Sequence, residues 1–182
     1  LTDLALIQQT LAGNTSCFEQ LVFRYEKQLM RFLKLRCNCA SDAEDIFQET
    51  FISAHRYLHS FDQSYAFSTW LFNISLNLIK KQFKSVKETY NQQVVELSQQ
   101  EDSTESNFSN TDNIWTIAKT HLSDEQLSLL WFTYVEGYTG QEVATVVERS
   151  LPWVKINLIR VKKVLKSKLL EQDLGLSDLV RG

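Results

Sequence analysis

Lysine and arginine gather on one stretch near the C-terminal end of this chain. Lys155, Arg160, Lys163 and Lys166 all fall between Trp153 and Lys168, in a 182-residue protein of formal net charge −3. A basic cluster in an acidic chain marks a surface for polyanions, phosphates above all. Val154, Leu158, Val161, Leu165 and Leu169 recur at helical spacing in the same stretch, so a helix is expected with these residues inward. Lys155, Ile156, Ile159, Arg160, Lys163 and Lys166 then face outward. Upstream, Gln141 to Val147 reads as a compact helix and Glu148 to Pro152 as a turn. Helix, turn and basic helix are the parts of a helix-turn-helix DNA reader. Pro152, Trp153, Ile156 and Asn157 would meet base edges, with Ser150 beside them in the turn and the cations on phosphates.

Two other groups of residues could do chemistry. Tyr65 and Phe67 precede Lys80, Lys81 and Lys84; aromatic faces stack bases and nearby ammonium groups neutralise phosphates, as in single-strand binders. Trp70, Leu71 and Ile74 in the same stretch read as core. Cys37, Cys39, His55 and His59 are possible metal ligands, but C-x-C lacks the usual zinc-knuckle spacing. They read instead as the end of one helix and the solvated face of another. No paired carboxylates, triad or phosphate loop stand in a plausible arrangement, so an enzyme is the weakest reading and no cofactor is expected.

The elements that must position these groups are helical. Gly (5) and Pro (1) are scarce and hydrophobic residues make up 43% of the chain, which favours a globular, largely helical protein. No apolar run reaches the roughly 20 residues of a membrane span, no signal peptide opens the chain, and three cysteines cannot all pair; a cytoplasmic protein is expected. Ser41 to Glu44, Ser123 to Gln126 and Thr139 to Glu142 each fit the capping box that starts a helix. After Ser41, Ala43, Ile46, Phe47, Thr50, Phe51, Ala54 and Leu58 share a face, and Asp42, Asp45, Gln48 and Glu49 lie on the others. By pattern alone those polar residues are simply solvated. The expected organisation is all-α: helical domains over 1–84 and 113–173, a flexible acidic linker over 85–112, and a tail over 174–182.

Taken in order, these segments resemble a known family. Asp42 to Phe51, reading D-A-E-D-I-F-Q-E-T-F, is similar to the D-A-E-D-L-V-Q-E-T-F signature of the extracytoplasmic-function (ECF) sigma factors. Phe61-Asp62, then Phe67-x-Thr69-Trp70-Leu71-x-x-Ile74-x-x-Asn77, resembles the stretch that follows it. Leu122-Ser123-x-Glu125-Gln126, Tyr134-x-Glu136-Gly137-Tyr138 and Val154-Lys155-x-x-Leu158-x-Arg160-x-Lys162-Lys163 resemble the family's second domain.

The resemblance implies a transcription initiation factor that gives core RNA polymerase its promoter choice. Asp42, Asp45, Gln48 and Glu49 would contact the clamp helices of the β′ subunit, which reverses the solvation reading. Phe61, Asp62, Tyr65 and Phe67 would capture an unstacked base of the −10 element, near Asn77, Lys80 and Lys81. The second domain would meet the β flap and read the −35 duplex with Ser150, Pro152, Trp153, Lys155, Ile156, Asn157, Ile159, Arg160 and Lys163. An anti-sigma factor, commonly membrane-anchored in the family, is a further implied partner. This chain departs from the family at Ser68, Asn73 and Asn157, where basic residues are frequent, and at Glu148, where glycine is usual. Fewer cations mean weaker phosphate binding. The alternative is a sigma-like interaction protein that binds polymerase or an anti-sigma factor without opening promoters.

Overall fold

The structure, a computed structural model, describes residues 1–90 and 110–180, with side chains placed over 1–84 and 114–171. The described residues form eight α-helices and one short 3-10 turn, with no strand among them. The chain divides into two compact units, Leu1–Val94 and Val95–Gly182.

The first unit holds α1 (Asp3–Leu11), α2 (Thr15–Arg36), α3 (Ala40–Arg56), the 3-10 turn Leu58–Ser60 and α4 (Phe67–Tyr90). Thr2 caps α1 by accepting from the Ala5 N–H at 3.3 Å. Asp3 in its first turn takes hydrogen bonds from Arg24 and Tyr25, which ties α1 to α2. The core is the apolar stripe of each helix: Leu29, Phe32 and Leu33 of α2, Ala43, Ile46 and Phe51 of α3, and Leu71, Phe72 and Leu76 of α4. Phe32 meets Phe72 edge-on at 5.4 Å, a geometry that adds to the burial energy of two large rings. The stripe expected after Ser41 faces inward, except that Phe47 is only half-buried.

The second unit holds α5 (Asn110–His121), α6 (Asp124–Tyr134), α7 (Gly140–Val147) and α8 (Leu151–Val180). Leu127 to Phe132 of α6 are all buried, so this helix is apolar around most of its girth and sits at the centre of its unit. Capping boxes at Ser123 and Thr139 start α6 and α7 as the sequence implies. Between them the chain reverses at Gly137, whose φ of +69° suits a residue without Cβ. Tyr138 then stacks on Phe132 with ring centroids 5.7 Å apart. At Gly140 a Cβ would meet Leu151 Cδ1 at 3.1 Å, so glycine lets α7 start close against α8.

Three boundaries differ from the sequence reading. Helix α4 runs on to Tyr90 and α5 begins at Asn110, both inside the expected linker. Helix α8 reaches Val180, inside the expected tail. Once a helix is nucleated, adding a residue costs little, and no proline interrupts these segments. The rest of the expected linker, 91–109, lies outside the described residues.

Candidate functional site

Three surfaces carry the candidate residues. The first is the polar side of α3. Its capping differs from expectation: the helix begins at Ala40, and the Cys39 thiol, not Ser41, accepts from the Asp42 N–H at 3.4 Å. The carboxylate of Asp42 is partly engaged inside the unit, taking a hydrogen bond from Gln82 Nε2 of α4 at 3.0 Å. It also sits in the first turn, where a helix favours negative charge. Asp45, Gln48 and Glu49 are exposed, and Ser53 Oγ donates to Glu49 at 3.3 Å. Beyond the half-buried Phe47, an open groove of about 740 Å³ is walled by Glu26, Lys27, Met30 and Arg31 of α2. The sequence reading missed this groove, although Phe47, a large ring at the edge of its stripe, could have pointed to it.

The second surface is the loop between the 3-10 turn and α4. Phe61 and Phe67 do not project from it. Phe67 is 2% exposed and packs against Phe61, Trp70 and Tyr25 at centroid distances of 5.8, 5.7 and 5.4 Å. This corrects their assignment as base platforms: they are the floor on which the loop rests, because burying two phenyl rings outweighs keeping them in water. Tyr65, 47% exposed, is the loop's outward aromatic. Asp62 shapes the loop, its carboxylate accepting from the Ser64 N–H at 2.9 Å and its carbonyl from the Tyr65 N–H at 3.2 Å. The Ser64 backbone and hydroxyl bonds hold this exposed carboxyl below its ordinary pKa. Asn77, Lys80 and Lys81 are exposed on α4, and Asn77 donates to Asn73 at 3.2 Å.

The third surface is the helix-turn-helix of the second unit. The turn hinges on Glu148, the one non-glycine residue of positive φ (55°) among those described. Its N–H closes α7 by bonding back to the carbonyls of Ala144 and Thr145. Glycine is the ordinary occupant of such a left-handed cap, which explains in physical terms why glutamate is an uncommon choice there. Helix α8 starts at Leu151, two residues ahead of expectation, because Ser150 accepts from the Trp153 N–H at 3.4 Å and so acts as its cap. Arg149 lies 5.4 Å from the centroid of the Trp153 ring and pairs with Glu125, a cation beside the helix start that sequence reasoning passed over as turn. Lys155, Ile156, Ile159, Arg160 and Lys163 are exposed. Asn157 is not: it is 7% exposed, and its Nδ2 donates to the Trp153 carbonyl at 2.9 Å. That corrects its reading as a base contact. It shares the inward face with Val154 and Val161, and its amide is satisfied within its own helix.

The possible metal ligands do not converge. Cys37 and Cys39 precede α3, while His55 lies in its last turn, about 24 Å along the helix axis, and His59 in the 3-10 turn beyond it. His55 packs edge-on against Phe18 at 4.8 Å. Among the described residues no three His, Cys, Asp or Glu side chains could hold a metal ion, and no helix is long and apolar enough to cross a membrane.

The described residues are all helical and fall in two units, one with an acidic helix face and one in which a tight turn joins α7 to the basic α8. The sigma-70 region 2 family matches residues 21–89, which takes in most of α2, all of α3, the aromatic loop and nearly all of α4. An ECF RNA polymerase sigma-E factor of Haemophilus influenzae is 24% identical across 93% of this chain and 96% of its own length. The corresponding factor of Salmonella typhimurium is 38% identical over 80 residues, covering 44% of this chain and 41% of its own. The sigma factor RpoE of Bartonella quintana, solved with the anti-sigma factor NepR, has the same fold, with a TM-score of 0.71 at 19% identity over 84% of this chain and 96% of that one. Residues 21–89 thus carry a sigma-70 region 2, and along most of its length the chain is similar to ECF RNA polymerase sigma-E factors.

Proposed function

We infer that this chain binds core RNA polymerase and directs promoter-specific initiation of transcription, acting by binding; its family is not a class of enzymes. The observation that carries the reading is the pairing, in one chain, of an exposed acidic face within the region 2 match and a basic helix-turn-helix beyond it. Asp45, Gln48 and Glu49, with Asp42 at their edge, contact the β′ clamp helices. The acidic face steers that encounter and fixes its register more than it supplies raw affinity. Tyr65, held out by the loop that Asp62 shapes, stacks on an unpaired base of the −10 element. Asn77, Lys80 and Lys81 follow the same strand. Unstacking costs a few kcal/mol, and each base–aromatic stack returns about 1–3 kcal/mol.

In the second unit α8 reads the −35 duplex, with Lys155, Arg160 and Lys163 on phosphates. The β flap holds this unit in place, which adds to the phosphate contacts of α8. An anti-sigma factor is the partner that would hold the chain in reserve; the Bartonella protein of the same fold was solved in complex with one. The site of action is the cytoplasm, with polymerase. In vitro transcription tests the reading: core polymerase on a library of upstream sequences, with and without the chain. Promoter-specific transcripts that depend on the chain are expected. Polymerase binding with no transcript from any template would refute it.

A further inference from the structure

The outward face of α8 is more apolar at its start than a phosphate-binding helix needs. Ile156 is 51% exposed and Ile159 is 69% exposed, although burial is the ordinary place for isoleucine. At 100° per residue, Pro152, Ile156, Ile159 and Lys163 fall within about 60° of one another, opposite the buried Val154, Val161 and Leu165. Lys155 and Lys162 lie along one edge of this stripe and Arg160 along the other. No carboxylate occurs between Leu151 and Leu170. An apolar strip between rails of positive charge has the complement of a DNA major groove, where phosphates flank the base edges. From Pro152 to Ile159 the stripe is about 10 Å long, within the roughly 12 Å width of that groove. Neither isoleucine can donate or accept a hydrogen bond. The one base-edge group in the groove that rewards an apolar side chain is the C5 methyl of thymine.

We propose that Ile156 and Ile159 are specificity-determining residues that read thymine methyl groups in the −35 duplex. The proposal rests on the reading of α8 as the −35 reader and adds which bases it selects. Thymine is favoured where the two side chains land.

The test uses the full chain with core polymerase on a promoter fragment taken from the transcription library. Each −35 thymine is replaced in turn by deoxyuridine, which removes the methyl and keeps the pairing. Loss of about fourfold in affinity is expected at one or two positions, the worth of one buried methyl-sized group. In Ile156→Ala or Ile159→Ala that sensitivity disappears at the matching position, while Ile156→Val retains most of it. Three results would overturn the proposal: deoxyuridine tolerated everywhere by a complex that still selects its −35 sequence; methyl sensitivity unchanged in both alanine variants; or weakened core polymerase binding in those variants without methyl dependence, which would give the stripe to a protein surface. Failure of the unsubstituted complex to select any −35 sequence would remove the reading of α8 itself, and the proposal with it.

Discussion

The two candidate nucleic-acid surfaces invert one another. In the first unit, aromatic side chains that look like base platforms turn inward, and Phe61 and Phe67 become the floor of a polar loop. In the second unit, aliphatic side chains that look like core turn outward, and Ile156 and Ile159 stand on a basic helix while Asn157 is buried beneath them. Residue type alone would have sorted both surfaces wrongly. What sorts them is geometry. A helix imposes a phase that sends every residue to a fixed side, whereas a loop lets each side chain seek the nearest core.

That comparison can be broken by substitution, most forcefully at Phe67. Phe67→Ala should destabilise the first unit by about 3–5 kcal/mol, since it removes a fully buried ring; denaturant unfolding of the full chain measures it. Tyr65→Ala should leave stability within about 0.5 kcal/mol and instead cost promoter opening up to roughly 3 kcal/mol, the worth of one stack. Should Phe67→Ala leave stability intact and abolish opening, the inward and outward roles are exchanged. Charge reversal at Asp45→Lys with Glu49→Lys should weaken core polymerase binding by at least about tenfold and leave binding to isolated duplex unchanged. Equal polymerase affinity in the double variant would discard α3 as the contact face.

Smaller effects are expected in the helix-turn-helix. Glu148→Gly relieves a left-handed glutamate but loosens the unfolded chain, for a net gain of up to about 1 kcal/mol in the stability of the second unit. It also removes a negative charge from the proposed DNA side, so affinity for duplex should rise; a fall in both would mean that the turn depends on the glutamate side chain. Lys163→Ala should reduce the slope of log affinity against log salt by about one, with little change in sequence preference. A changed preference with an unchanged slope would move Lys163 from phosphate to base.

Much of the fold was legible because helices announce themselves twice, by period and by cap. The stripe from Ala43 to Leu58 and the capping boxes at Ser123 and Thr139 are plain in the sequence and present in the structure. The misreadings share a cause. Ser41 does not cap α3 because the helix begins earlier, at Ala40, where the Cys39 thiol accepts from the Asp42 N–H. Asn157 was read outward because polar residues usually are, yet its amide bonds back to the Trp153 carbonyl and so can be buried at little cost. Phe61 reads outward because nothing in a loop's sequence fixes its phase, and Phe67 because it is the first residue of α4, at a helix start that the sequence places only to within a few residues. The groove lined by Met30 and Phe47 needs two helices to meet, which no single period reveals.

Permanganate probing of unpaired thymines tests the central claim most directly, on a promoter fragment with core polymerase and this chain. The account predicts reactive thymines across the −10 element that appear only when the chain is present and vanish with Tyr65→Ala. A polymerase complex that forms on the promoter with this chain yet leaves every thymine paired would contradict it.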